Sequence, residues 1–356
     1  MTHLSIIEPG NSSEWDRFVE AHPFGQIYHL SSWKRILERC FKHIRGYFFI
    51  IKNETNKEIA AGIPAYKVSS ILLGNRLVCA PFATLFDPLI SNSGQLSELS
   101  NMLIEASARL KCSYVEIKTH QAGCHFENPA YGESRFFKLH YLKLDSTLDA
   151  IRRNFHRTCV RQRIARAEKS GLQVKIAQTK SDLLDFYNLL VMTRIRRGLP
   201  PQPFAFFLAL WDEFKPSDRL TVMIAQKNGQ SIAALMLLSF KDRVTVECAA
   251  SNEIFNCYSP IHYLFWEAIK LAHGKGYRIL CFGRTSPKNL SLMDFKERWG
   301  TQSMDIPHFY YPRYLADAKH NIEENWKYSL VNKVTSLRIP TVFKRLIGAL
   351  CYRHMG

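Results

Sequence analysis

"YFFIIKNETNKEIAAGIPAYKVSS" (residues 47–70) and "LTVMIAQKNGQSIAALMLLSF" (residues 220–240) decide the fold, because the second repeats the first. Each reads as a strand, a polar turn and a second strand. The second strands open alike, Ile59-Ala60-Ala61 against Ile232-Ala233-Ala234. Lys227-Asn228-Gly229-Gln230 carries the Asn-Gly pair of a tight hairpin, since both central positions of that turn need positive φ.

Downstream of each hairpin lies a second matched pair. "LIEASARLKCSYVEIKTH" (103–120) and "FWEAIKLAHGKGYRILCFGR" (265–284) each read as helix, turn and strand, with Tyr114 equivalent to Tyr277. The hairpins are offset by 173 residues and the helix–strand units by 163, which one duplication with a ten-residue insertion or deletion accounts for. The second copy is the clearer. The pattern predicts a strand at 173–177, a helix at 180–197 capped by Thr179 or Ser181, and a helix at 203–214. Strands follow near 220–226, 231–240 and 244–250, then a helix from Pro260 to His273 with Ser259 as its cap. A strand at 278–282 and a helix at 291–299 complete it. The order β-α-α-β-β-β-α-β-α is that of the GNAT type of N-acyltransferase. The expected fold class is therefore α/β, with two tandem GNAT-like domains. The expected division is 1–145 and 171–315 for the domains, 146–170 for a basic helical strap, and 316–356 for a basic amphipathic tail.

The strap is the most charged stretch of the chain. "IRRNFHRTCVRQRIARAEKSGL" (151–172) holds seven basic side chains against the single acid Glu168. On one continuous helix, at about 100° per residue, Ile151, Phe155, Thr158 and Cys159 form one apolar stripe, and Val160, Ile164 and Ala167 an opposite one. Two stripes suit a strap wedged between two bodies. Arg152, Arg153 and Arg157, at its start, then present forks to phosphate, or else they are simply solvated. The formal net charge of +17 favours anionic partners in general. The nine cysteines include no Cys-x-x-Cys pair and show no zinc-ligand spacing, so no metal is expected and the thiols read as reduced, which suggests a cytoplasmic setting. The longest apolar run, 231–240, is about half the length that a membrane-spanning helix needs.

Three stretches together resemble the Fem-type peptidoglycan aminoacyltransferases: "FGQIYHLSSWKRIL" (24–37), "RTCVRQRIARAEKSGLQVKIA" (157–177) and "FGRTSPKNLSLMDFKERWG" (282–300). "RIRRGLPPQPFAFF" (194–207) is closest to the Fem-related branch associated with exosortase (PEP-CTERM) and exopolysaccharide systems. The resemblance implies transfer of an activated acyl or aminoacyl group to an amine of an anionic cell-envelope precursor, in a cleft between the copies. It implies no tightly bound cofactor, and a donor that is aminoacyl-tRNA, acyl-CoA or an acyl carrier protein. No helical hairpin arm for tRNA is evident. "SNEIFNCYSP" (251–260) lacks the Gly-rich pyrophosphate loop of ordinary acetyltransferases, which argues against simple acetyl-CoA chemistry. Two other readings stay open: a non-catalytic RNA- or anion-binding protein of the same fold, and an acyltransferase joining a carrier-bound fatty acyl group to a small amine.

Acyl transfer to an amine needs a proton acceptor and donors for the developing oxyanion. The resemblance places Lys296 beside the acyl-transfer channel, whereas the plain reading is a surface helix lysine. Glu247 lies in a strand where GNAT enzymes often carry a base, and is otherwise a cross-strand ion-pair partner. Asp87, in the Pro-flanked loop "APFATLFDPLI" (80–90), reads as a catalytic carboxylate or as a turn-starting residue. Arg284 follows a strand end, and Gln26 offers an amide to an acceptor beside Trp33, which reads as core. Tyr258, Ser259 and His262 surround a helix start whose backbone N–H groups favour anions. The tail "VNKVTSLRIPTVFKRLIGALCYRHMG" (331–356) either packs on its own chain or rests on an anionic inner leaflet.

Overall fold

The computed structural model describes residues 5–6, 12–316 and 341–355. These form two compact units. Unit one comprises 5–136, 305–316 and 350–355, and unit two 137–304 and 341–349.

In unit one the elements run β1 (Ser5–Ile6), α1 (Ser12–Ala21), α2 (Ser31–Cys40), β2 (Ile44–Lys52), β3 (Ile59–Ser70), β4 (Gly74–Cys79), α3 (Ser93–Arg109) and β5 (Val115–Lys118). Unit two repeats that order with β7 (Gln173–Ile176), α6 (Lys180–Arg196), α7 (Phe204–Phe214), β8 (Leu220–Lys227), β9 (Gln230–Phe240), β10 (Arg243–Ser251), α8 (Pro260–Gly274) and β11 (Ile279–Thr285). The helix α9 (Leu290–Glu297) follows. The duplication read from the hairpins is thus realised element by element.

The pairing repeats as well. Unit one pairs in the order β1-β2-β3-β4-β5, antiparallel except for β4 with β5. Unit two pairs as β7-β8-β9-β10-β11, antiparallel except for β10 with β11. Each series gains a last antiparallel strand from outside its own repeat. Within unit one, β12 (Gln302–Tyr311) pairs with β5 in the register His308↔Lys118 to Tyr311↔Val115. Within unit two, β6 (Gly132–Lys143) pairs with β11 in the register Lys138↔Thr285 to Lys143↔Ile279.

Local signals explain the hairpins and caps. Asn228 (φ 50°) and Gly229 (φ 78°) take the positive φ values that the turn between β8 and β9 requires. Thr179 and Asp182 form a reciprocal capping box at the start of α6. Trp33 is fully buried, edge-on to Tyr28 at 4.9 Å.

The strap departs from its expected form. It is α4 (Leu148–Arg153), a break, a π turn at Arg157–Arg161 and α5 (Gln162–Lys169). Ile151 and Phe155 from one expected stripe, and Val160, Ile164 and Ala167 from the other, all enter the same unit-two core. The break explains the correction. His156 leaves the helix and donates its backbone N–H to the Arg298 carbonyl (2.8 Å), so the second half restarts with a new phase. Opposite stripes on one ideal helix become one buried face.

Of the C-terminal tail, residues 317–340 lie outside the described residues. The helix α10 (Thr341–Tyr352) follows them. Within unit two, Gly348 abuts Pro201 and Arg345 donates to the Asn188 side chain (2.8 Å). Within unit one, Tyr352 packs on Phe82 (5.7 Å) and Phe41 (6.4 Å), and Arg76 donates to the His354 carbonyl (2.8 Å). The described tail therefore packs on its own chain. Among the described residues no helix is long and apolar enough to cross a membrane.

Candidate active site

Unit two opens where β10 and β11 part. Their parallel register ends at Thr245↔Cys281, although β10 continues to Ser251 and β11 to Thr285. Each strand is bulged just there: β10 between Val246 and Cys248, at Glu247, and β11 between Cys281 and Gly283. A bulge bends its strand and re-aims the side chains beyond it. Gly283 has φ 78°, a conformation that a side chain there would strain.

Lys296 is aimed at this opening by α9. Asn289 caps that helix, accepting the Leu292 N–H at 3.2 Å. At the other end Phe295 and Trp299 sink into an aromatic cluster, Phe295 against Phe265 at 5.6 Å and Trp299 against Phe155 at 5.0 Å. Lys296 is buried, and its ammonium donates to the carbonyls of Gly283 (2.8 Å) and Arg284 (3.3 Å). It makes no ion pair with a described residue. Burial lowers its pKa to about 8, and the nearby Cys281 thiol opposes that shift.

His140 sits opposite Gly283 on β6, fully buried, with no hydrogen-bond partner for either ring nitrogen among the described residues. Its Nε2 lies 4.0 Å from Glu297 Oε1. Burial, then the charges of Lys296 and Lys138, press its pKa down to about 4, so the ring is neutral at pH 7. The hydroxyl of Thr285, one step past Arg284, is likewise buried without a partner. Unsatisfied buried polar groups are costly, so His140 and Thr285 together near Lys296 make this a candidate ligand site. Neither His140 nor Thr285 stood out in the sequence. His140 falls in the alternating stretch "KLHYLKL" (138–144), where nothing separates a site residue from a strand residue.

Other expected residues gather in unit two. The charges of Glu247 and Lys296 both act on the Cys281 thiol, in opposite senses. Arg284 lays its guanidinium over the Phe137 ring at 4.7 Å. His262 stacks on Trp299 (6.0 Å) and meets Phe295 edge-on (5.5 Å), so it shares the wall that orients Lys296. Ser259 occupies the N-cap position of α8 with φ 55° and makes no side-chain cap bond, which corrects its expected role as a cap. Tyr258 lies beneath the Lys227 ammonium at 5.5 Å. On the strap, Arg152 pairs with Glu168 (3.4 Å) and covers Trp266 (5.2 Å). Arg153 and Arg157 are exposed, and their guanidinium groups bond to no described residue.

Asp87 and Gln26 belong to unit one, tied together through His29. The Gln26 N–H donates to His29 Nδ1 (2.9 Å), so Nε2 carries the proton and donates to the Asp87 carbonyl (2.7 Å). The Asp87 carboxylate accepts from the backbone N–H groups of His120 (3.0 Å), Gln121 (2.8 Å) and Ala122 (3.0 Å). Burial raises its pKa to about 6, against the pull of those three amides. Its lone pairs are committed to the backbone, so the geometry is that of a loop brace rather than a base.

Two of the buried histidines, His140 and His262, set an acid limit. His262, like His140, is held at about 4 against an ordinary 6.5, by burial and then by Arg163. The unfolded chain therefore takes up protons below pH 6.5 that the folded chain refuses until about 4, and stability falls through that window. Asp87 acts oppositely, because its folded pKa of about 6 exceeds the ordinary 3.8. His262→Phe, which keeps the stacking, should flatten the fall in Tm between pH 6.5 and 4, as thermal melts across that range will show.

Residues 154–297 match the family model described as acetyltransferase (GNAT) domain, a span ending with the last residue of α9. No protein with a curated description matches the chain. Among solved structures, FemX is similar at 14% identity over 90% of this chain and 100% of its own, with a TM-score of 0.69. The C-terminal domain of a putative lysylphosphatidylglycerol synthetase from Agrobacterium fabrum matches at 14% identity, 88% and 94% coverage and a TM-score of 0.55. A tandem GNAT protein of the clavulanic acid biosynthesis pathway matches at 7% identity, 87% and 98% coverage and a TM-score of 0.56. The fold is α/β with two tandem GNAT-like domains.

Proposed function

We propose that the chain is an N-acyl or aminoacyl transferase that moves an activated acyl group onto an amine of a cell-envelope precursor. One observation carries this reading: an ammonium buried on the carbonyls of Gly283 and Arg284, beside unpartnered His140 and Thr285, where β10 and β11 separate.

The acceptor amine attacks the donor's carbonyl carbon, and negative charge gathers on the carbonyl oxygen. With a pKa of about 8, Lys296 is mainly an ammonium at neutral pH, and it neutralises that oxygen in a site of low dielectric. The attacking nitrogen must shed a proton. Neutral His140 and the Glu247 carboxylate are the acceptors on offer. Collapse then expels the donor's oxygen or sulfur, which leaves with a proton. No covalent enzyme intermediate is required, because an ester or thioester already carries a good leaving group.

Aminoacyl-tRNA, acyl-CoA and an acyl carrier protein all supply such a carbonyl. Two of the structures sharing the fold are FemX and the C-terminal domain of a putative lysylphosphatidylglycerol synthetase, and the latter name favours an aminoacyl donor and an envelope acceptor. The Fem-like motifs favour a peptidoglycan precursor, and the "RIRRGLPPQPFAFF" segment (194–207) an exopolysaccharide one. Mass spectrometry of envelope precursors from cells with and without the chain tests this. An added mass of one acyl or aminoacyl residue, present only with the chain, is the expected result.

The exposed strap arginines are assigned to the anionic acceptor. Arg153→Glu with Arg157→Glu should weaken acceptor binding about tenfold, or 1.4 kcal/mol, and donor binding much less. Titrations of each substrate at low salt read both affinities. Unchanged affinities would leave these arginines as solvated charges.

A further inference from the structure

We propose that the β3–β4 hairpin of unit one is a docking surface for an anionic lipid bilayer. The tip of this hairpin, Ser70 to Gly74, carries Ile71 and Leu72, which are 98% and 69% exposed. Leu350, in the same unit, is 55% exposed. Apolar side chains this bare at the end of a tight turn find no partner among the described residues, and water is a poor one.

What surrounds the tip chooses the partner. The start of β2 lies beside the hairpin's base, with Arg45 opposite Lys67. Lys42 precedes His43, whose carbonyl accepts from the Ser69 N–H (2.8 Å). On the far side, the Lys111 carbonyl accepts from the Asn75 side chain (3.3 Å). From the C-terminal segment, His354 shares a hydrogen bond with Ser70 (2.9 Å) and accepts Arg76 on its carbonyl (2.8 Å), which sets Arg353 beside the tip. Lys42, Arg45, Lys111 and Arg353 are exposed. The segments forming this end, 41–46, 66–76, 109–114 and 350–355, contain no Asp or Glu. An apolar tip within a mainly basic collar, whose nearby acid Glu38 accepts the Gly46 N–H (2.9 Å) and is paired with Lys34 (2.8 Å), fits a surface that offers hydrocarbon behind negative headgroups: the collar is drawn in by charge and the tip buries its side chains. A folded protein partner would have to match the collar with acids and also supply an apolar pocket for the tip. The bilayer does both along its whole surface.

The surface lies in unit one and rests on no part of the acyl-transfer reading. Its test is co-sedimentation of the full chain with phosphatidylglycerol-rich vesicles and with pure phosphatidylcholine vesicles, at low and high salt. The chain should partition onto the anionic vesicles, less so as salt rises, and not onto the neutral ones. Ile71→Ser with Leu72→Ser, and separately Lys42→Glu with Lys111→Glu, should each cut that partition about tenfold with Tm unchanged. Transfer to a water-soluble acceptor should be unaffected, so failure here is distinct from failure of the enzymatic reading. The proposal is overturned if the chain ignores anionic vesicles, or if the Ile71/Leu72 variant binds them as well as the parent. It is also overturned if the collar variant loses binding to a short RNA while vesicle binding never appears.

Discussion

Lys296→Met is expected to lose at least about a hundredfold in transfer rate while keeping its Tm at pH 7 within a few degrees, the scale of removing one oxyanion-stabilising donor. The two halves of that expectation come from the same geometry. Lys296 is a buried cation with no acidic partner among the described residues, and holding its pKa at about 8 instead of 10.5 costs the folded state about 3 kcal/mol at neutral pH. Its bonds to the carbonyls of Gly283 and Arg284 return a similar amount, at about 1.5 kcal/mol or more for each charge-assisted bond. Methionine removes both terms and keeps most of the volume. Because the unfolded chain holds this proton more tightly between pH 8 and 10.5, the parent should gain stability as pH rises through that window, and the variant should lack the gain. A variant that melts early would make Lys296 a structural peg.

Asp87→Ala should do the reverse: a loss of about 2–4 kcal/mol in stability, with transfer per folded molecule nearly intact. Alanine leaves the N–H groups of His120, Gln121 and Ala122 without their acceptor in a loop where Ala122 is buried, His120 is half-buried and Gln121 is exposed. Relief of the buried charge, visible in the raised pKa of about 6, offsets part of that loss. Asp87→Asn keeps one acceptor oxygen and should fall between the two. Denaturant melts read the stability. A stable but inactive Asp87→Ala protein would restore the carboxylate as a base.

Much of the architecture was readable because its signals are local. The hairpin at Asn228-Gly229, the cap at Thr179 and the Pro260 helix start depend on neighbouring residues only, and each lies where the pattern put it. The strap was misread because a helical projection carries its phase through Asn154–His156, where the chain leaves the helix. Strands β6 and β12 join sheets outside their own repeats, and strand pairing at long range leaves no trace in local periodicity. The motif singles out Lys296 as a candidate, while its burial against the Gly283 and Arg284 carbonyls depends on the tertiary fold. His140 and Thr285 become notable only once β11 bulges at Gly283, a bend that the strand's apolar pattern does not announce. Asp87 was found as a special residue, but its role follows from three amides more than thirty residues away in sequence.

The central claim, acyl transfer to an amine at the opening of unit two, is tested most directly by single-turnover transfer with the purified chain. Labelled aminoacyl-tRNA, acyl-CoA and acyl carrier protein are each mixed with an amine-bearing envelope precursor. The account predicts one acyl or aminoacyl residue on the acceptor amine from one of these donors with the parent chain, and almost none with Lys296→Met. Transfer that proceeds equally in Lys296→Met, or an acceptor left unmodified by every donor, would contradict it.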